Sequence, residues 1–264
     1  MTIIIQDVLD ALTAPATAVP NSVDKLLFGN DRTIVSGIAV TFMVTQHVLE
    51  QAHRFGANLI LTHEGAFYSH HHSLQIHADE SVFKAKKQFI EQNDLAVYRV
   101  HDFLHRNYPD AIMEGLIRAL DWEPYVNETF PTATVVTIPA ISVSETAEYV
   151  KMRLGISTLR VVGDLTKSCS RIGLLVGNRG GSELAIPLFE QHRLDLIVYG
   201  EGPEWETPEY VRDAVHMGED KALLVLGHLE SEQPGMKRLA ERLSKMFATV
   251  PVHFIPVDSV FKFV

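Results

Sequence analysis

The chain has 264 residues, of which 46% are hydrophobic and 21% charged, the balance of a folded protein with a large core and not of a disordered one. A formal net charge of −10, with no dense Lys/Arg block, argues against a nucleic-acid partner. Cys169 is the only cysteine, so neither an intrachain disulfide nor a cysteine-cluster metal site can form, and a cytoplasmic location fits best.

In chain order, "MTIIIQDVLDALTAP" predicts an amphipathic first helix with Ile4, Val8, Leu9 and Leu12 on one face, closed by Pro15. Gln6, Asp7 and Asp10 interrupt the apolar run before it could serve as a signal or spanning segment, so no membrane association is expected. Ser36 to Gly65 then reads as a strand, a polar turn, a helix and a second strand around Leu59–Leu61, ending in a Glu-Gly pair. Ser170 to Gly202 repeats that pattern, with its second strand at Leu196–Val198. Between them lie a strand at Ala133–Ile138 and a helix that begins after Ser142 or Ser144. Beyond Asp220 come another strand, a long amphipathic helix and the strand-like "VPVHFIPV". Continuous apolar strands joined by helices suit parallel sheets buried on both faces. The fold class is therefore α/β: two related α/β domains with mixed or parallel sheets, residues 1–120 plus 221–264 forming the first and 121–220 the second. The C-terminal segment is expected to complete the first domain's sheet.

In open α/β sheets, sites form beyond the carboxyl ends of the strands. Three strands end in residues that bind metals: Leu59–Thr62 delivers His63 and Glu64, Ala96–Val100 delivers His101 and His105, and Leu223–Leu226 delivers His228 and Glu232. Mixed imidazole and carboxylate donors suit Zn, Mn, Fe or Co better than Ca or Mg. Asp102 adjoins His101, either as a proton acceptor or as a group that holds a ring nitrogen by hydrogen bond. His70, His71 and His72 read as a solvated loop or a lid over the site. His47, His53, His192, His216 and His253 read as structural. "VGNRGGSELA" reads as a tight turn, since no Lys-Ser/Thr pair completes a P-loop and the spacing is not the dinucleotide fingerprint. Cys169 reads as a strand entry and not a nucleophile. Glu201 and Glu204 end the second unit's strand as Glu64 ends the first, and are expected to line the same cavity.

The stretches "ANLILTHEG", "LAVYRVHDFLHR", "GNRGGSELA" and "LGHLESEQPGMKRLAERL", with "VDKLLFGN" before them, resemble in order the landmarks of the dinuclear metal-centre hexameric proteins, often labelled GTP cyclohydrolase 1 type 2. The resemblance spans nearly the whole chain, and the closing Gly-His-x-x-Ser-Glu pattern is its most specific part. It implies two related α/β domains, a toroidal homohexamer, two metal ions per subunit and a nucleotide or other small-molecule substrate. Carried onto this chain, His63 matches the first His of the family's His-His-Pro motif, and His228 and Glu232 match the closing ligand pair. Glu64 replaces the second His, Gly65 replaces the Pro, and His105 stands where the family has an Asp. The exchange predicts unequal metal positions, so that each subunit holds one or two ions.

Two functional expectations follow. One is a metal-dependent hydrolase that uses a metal-activated water on a nucleotide or purine ring, with Glu64 or Asp102 as general base. The other is a non-catalytic metal-binding scaffold or regulatory ring protein.

Overall fold

Short apolar runs become strands, and the amphipathic runs between them become helices. The computed structural model describes residues 2–13, 21–70, 78–106, 108–262 and 264; Pro15, His71 and His72 lie outside them. In chain order the elements are α1 (Ile5–Thr13), β1 (Lys25–Phe28), β2 (Ile38–Thr41), α2 (Gln46–Arg54), β3 (Leu59–Thr62), α3 (Ser81–Gln92), β4 (Ala96–Arg99), α4 (Asp102–Arg106) and α5 (Ala111–Ala119). There follow β5 (Val126–Thr129), β6 (Thr134–Ser142), α6 (Val143–Leu154), β7 (Arg160–Val162), β8 (Ser168–Leu175), α7 (Ser182–His192), β9 (Leu196–Tyr199), α8 (Thr207–His216), β10 (Ala222–Val225), α9 (His228–Met246) and β11 (Val252–Phe254). The chain divides into two units: Met1–Tyr108 with Met236–Asp258, and Pro109–Gly235 with Ser259–Val264.

Among the described residues, the first unit holds a five-stranded sheet in the order β1-β4-β3-β2-β11. Strands β11, β2, β3 and β4 are parallel, and β1 lies antiparallel at one edge. Every residue of β2, β3 and β4 is buried, as a sheet covered on both faces requires. One face packs Ala39, Ile60 and Val97 against Val48 and Leu49 of α2 and Phe83 and Ile90 of α3. The register pairs Thr41 with Thr62 and Thr62 with Arg99, so these three strands stop side by side.

The second unit holds a six-stranded mixed sheet in the order β5-β6-β8-β9-β10-β7, again among the described residues. Strands β8, β9 and β10 are parallel, with Leu175, Tyr199 and Val225 level at their ends. Its core gathers Val135, Leu175, Phe189, Ile197, Tyr199 and Leu223. Helix α6 starts with a capping box, in which the Ser142 hydroxyl accepts from Glu145 N–H and the Glu145 carboxylate accepts from Ser142 N–H. The repeated segments are the two parallel units β2-α2-β3 and β8-α7-β9.

Two stretches sit elsewhere than the sequence boundaries placed them. Helix α5 belongs to the second unit, and so does β10, which pairs with β9 and β7. The crossover through α8 returns β10 beside the strand it left, the usual outcome for consecutive strands. The first unit regains the chain only within α9, between Gly235 and Met236, and its sheet is then completed by β11 beside β2.

Candidate metal centre

In the first unit, β3 and β4 end level, so the residues that follow them are neighbours. His63 is fully buried. Its Nδ1 faces the carbonyl oxygen of Val100 at 3.1 Å. A carbonyl only accepts, so the neutral ring is assigned its proton on Nδ1 and its lone pair on Nε2. His101 is oriented in the same way, with Nδ1 3.1 Å from Asp102 Oδ1, which again leaves Nε2 as the donor atom. His105 stands one helical turn on, its N–H donating to the His101 carbonyl at 3.2 Å, so the two imidazoles share a face. Nε2 of His63 and Nε2 of His105 are 3.2 Å apart. The His63 and His101 rings stack with centroids 4.6 Å apart, and one ligand atom from each of the three histidines falls within a 4.8 Å group.

The turn that carries His101 and His105 is held by Asp24, which lies in the "VDKLLFGN" stretch. Asp24 Oδ1 accepts from the N–H groups of His101 (2.7 Å) and Asp102 (2.9 Å), and Oδ2 accepts from Phe103 (2.8 Å). Asp102 is engaged through both oxygens, since Oδ1 meets His101 and Oδ2 accepts from Val23 N–H at 3.0 Å. Burial pushes the Asp102 carboxyl up, but Val23, His101 and Arg106 hold it below the usual carboxylate range. Of the two roles considered for Asp102, the geometry favours the one that holds the imidazole.

Glu64, also buried, leads to a residue the sequence reading did not single out. Arg99 is completely buried; its Nη2 donates to Glu64 Oε2 at 3.1 Å and its Nε to the His63 carbonyl at 3.2 Å. It also reaches His70, through Nη1 to the carbonyl at 2.6 Å and Nη2 to Nδ1 at 2.9 Å. His70 therefore belongs to this cluster and is no mere loop residue; Glu64, His70 and His101 form a second potential ligand group. Burial pushes the Arg99 guanidinium down from its ordinary value, while Glu64, Asp24 and Asp102 oppose that shift. Lys86 on α3 is buried as well and donates to the carbonyls of Val44 and Ala66, tying together the loops that follow β2 and β3.

In the second unit, His228 opens α9 just past β10. Its Nδ1 lies 2.8 Å from Glu201 Oε1, and its Nε2 lies 3.1 Å from Glu232 Oε2, one turn along the same helix. Hydrogen bonding to His228 draws the Glu201 carboxyl below its usual range. The Ser231 hydroxyl donates to the His228 carbonyl at 2.8 Å and accepts from Gly177 N–H at 2.9 Å. Gly177 has φ +61°, and a Cβ there would come within 2.1 Å of Glu232 Oε1. The glycine-rich stretch is thus a turn whose first glycine makes room for the Glu232 carboxylate. Glu204 does not join Glu201: its exposed carboxylate pairs with Arg160. Cys169 is buried within β8, as a strand residue.

The nitrogen donors of the first unit fit a transition metal. Ligand nitrogens about 2.0–2.1 Å from one tetrahedral ion stand about 3.3 Å from each other, close to the His63–His105 separation of 3.2 Å. Away from these clusters, His192 packs on Phe130 and His253 stacks on Phe55, each with centroids 4.8 Å apart.

The description Duf34/NIF3 (NGG1p interacting factor 3) matches residues 5–260. The chain belongs to the Duf34/NIF3 family. The GTP cyclohydrolase 1 type 2 homolog of Clostridium perfringens (strain 13 / Type A) is 24% identical to it over 229 residues, covering 83% of this chain and 82% of that protein. The crystal structure of Staphylococcus aureus protein SA1388 superposes with a TM-score of 0.76 at 19% identity, over 99% of each chain. A Bacillus cereus protein related to NIF3 gives 0.77 at 15% identity, over 100% of this chain and 99% of that one. These structures share the α/β fold with its mixed sheets. No described helix is long and apolar enough to cross a membrane.

Proposed function

We propose that the chain is a metal-dependent hydrolase acting on a nucleotide or related small molecule. The observation that carries this is the convergence of His63, His101 and His105, with Nε2 of His63 and His101 turned to the donor role by Val100 and Asp102. A divalent transition metal (Zn, Mn, Fe or Co) held there supplies Lewis acidity and lowers the pKa of water toward neutrality. Glu64, held by Arg99 with Oε1 3.8 Å from His101 Nε2, is placed to serve as proton acceptor. By family resemblance His228 and Glu232 of the second unit, already within hydrogen-bonding distance of each other, are metal ligands as well.

The name carried by the Clostridium relative supports a purine nucleotide as substrate class. Family resemblance also supports a homohexamer, and the lone buried Cys169 a cytoplasmic location. The test is an assay of the purified protein with Zn, Mn or Fe against nucleotides and phosphoesters, beside His101→Ala. Metal-dependent turnover lost in the variant is the expected result. Bound metal without turnover on any substrate would favour the scaffold role. Light scattering should return a hexamer mass.

A further inference from the structure

A metal centre needs cations, and the first unit already contains one that cannot leave. We infer that the Arg99 guanidinium stands in for a metal ion at the Glu64–His70–His101 group, so that the His63–His101–His105 group is the one this unit loads. The inference rests on the metal reading above and adds which group is filled.

Three observations carry it. Arg99 engages two of the three residues of that group, through Nη2 to Glu64 Oε2 at 3.1 Å and to His70 Nδ1 at 2.9 Å. A guanidinium only donates, so His70 Nδ1 must accept, and the lone pair it would offer a metal is occupied by an N–H. Arg99 is also immobilised: it is 0% exposed, and its Nε and Nη1 are held by the carbonyls of His63 and His70. A divalent ion on the same carboxylate and imidazole would lie against a fixed like charge in a place with little water to screen it. The other group escapes this conflict. Arg99 meets His63 through the main-chain oxygen, while Nε2 of His63 faces His105.

The pairing also gives a reason for the carboxylate at position 64. A buried guanidinium needs anions, and the neutral imidazole that the resemblance predicts at this position would remove the one that touches it at Nη2 and leave only Asp24 and Asp102 to offset its charge. Glu64 and Arg99 together supply a neutral pair where the family pattern places a ligand for an ion.

The experiment titrates metal-free protein with Zn(II) or Co(II) and counts bound equivalents per chain by calorimetry and native mass spectrometry. His70→Ala should bind as many equivalents as the unmodified protein, at the same affinity. Arg99→Met should gain an equivalent, which His70→Ala in the same background removes again. Arg99→Lys, which keeps the charge, should keep the original count. Loss of an equivalent in His70→Ala alone would overturn the inference, as would a folded Arg99→Met with an unchanged count. If Arg99→Met does not fold, the comparison of His70→Ala with the unmodified protein still decides. Unmodified protein that binds no metal would instead overturn the metal reading itself, and this inference with it.

Discussion

The backbone N–H of His101 donates to Asp24 Oδ1 at 2.7 Å across 77 residues of sequence. That carboxylate also receives Asp102 and Phe103, and so shapes the turn from which His101 and His105 project. Asp24→Ala should cost about 1.5–3 kcal/mol, the range for hydrogen bonds to a charged group. It should also weaken zinc binding, because the two imidazoles lose their common frame. Asp24→Asn, which retains one acceptor oxygen, should lose less of both. Urea denaturation and zinc titration of the two variants measure this; a stability loss with unaltered zinc affinity would separate the turn from the site.

Gly177 and Gly218 both have positive φ, but a Cβ at Gly218 would meet nothing within 4 Å, whereas at Gly177 it would strike Glu232. Gly218→Ala should therefore cost only the left-handed backbone strain, about 1–2 kcal/mol. Gly177→Ala adds overpacking and should lose about 1–3 kcal/mol more. Equal losses by urea midpoint would mean that Glu232 moves aside freely.

Chelation should lower the melting temperature and leave the far-ultraviolet circular dichroism intact. An ion that binds only the native state adds about 2.7 kcal/mol at a hundredfold excess over its dissociation constant. The two apolar cores contain no metal ligands and persist without it. Identical melts with and without chelator would count against metal binding.

Lys86 gives a pH dependence of defined sign. Burial lowers its pKa from 10.5 to about 8. Between those two values the unfolded chain holds a proton that the folded chain has released, so stability contributed by this residue rises with pH across the window. The rise is on the order of 3 kcal/mol. Below about pH 8 both states are protonated, and the full cost of burying the ammonium remains. The difference in urea midpoint between the unmodified protein and Lys86→Met, followed from pH 7.5 upward, should move in favour of the unmodified protein. A constant difference would show that Lys86 titrates normally.

The candidate ligands legible in the sequence share one signature, an apolar strand that stops abruptly before His. His63, His101 and His228 come just past strand ends, and His105 and Glu232 follow His101 and His228 by one helical turn, because a parallel strand is buried along its length and presents chemistry only at its end. Arg99 lies inside β4, where a cation flanked by Tyr98 and Val100 looks like the polar side of an alternating strand. Only the fold reveals that both faces are covered. Asp24 acts on a turn 77 residues away, and no local spacing signals it. His70 was hidden by its own context, since a run of histidines reads as solvated loop until Arg99 reaches one of them. The unit boundaries differ for another reason: the division falls inside the single helix α9, just after Pro234 and Gly235, and not in a loop between elements.

Strand β11 pairs with β2, although residues 42–251 separate them and the whole of Pro109–Gly235 belongs to the other unit. During synthesis, β2 can therefore pair with β3 early, but its opposite edge stays open until β11 has emerged. An exposed, fully apolar strand edge invites pairing with another chain. The second unit must be made while that edge waits, so the nascent protein is expected to pass through a long interval in which the β2 edge is open to pairing with another chain. Slower translation of the second half should lower soluble yield, and a free peptide spanning Val252–Phe254 should compete for the open edge during refolding.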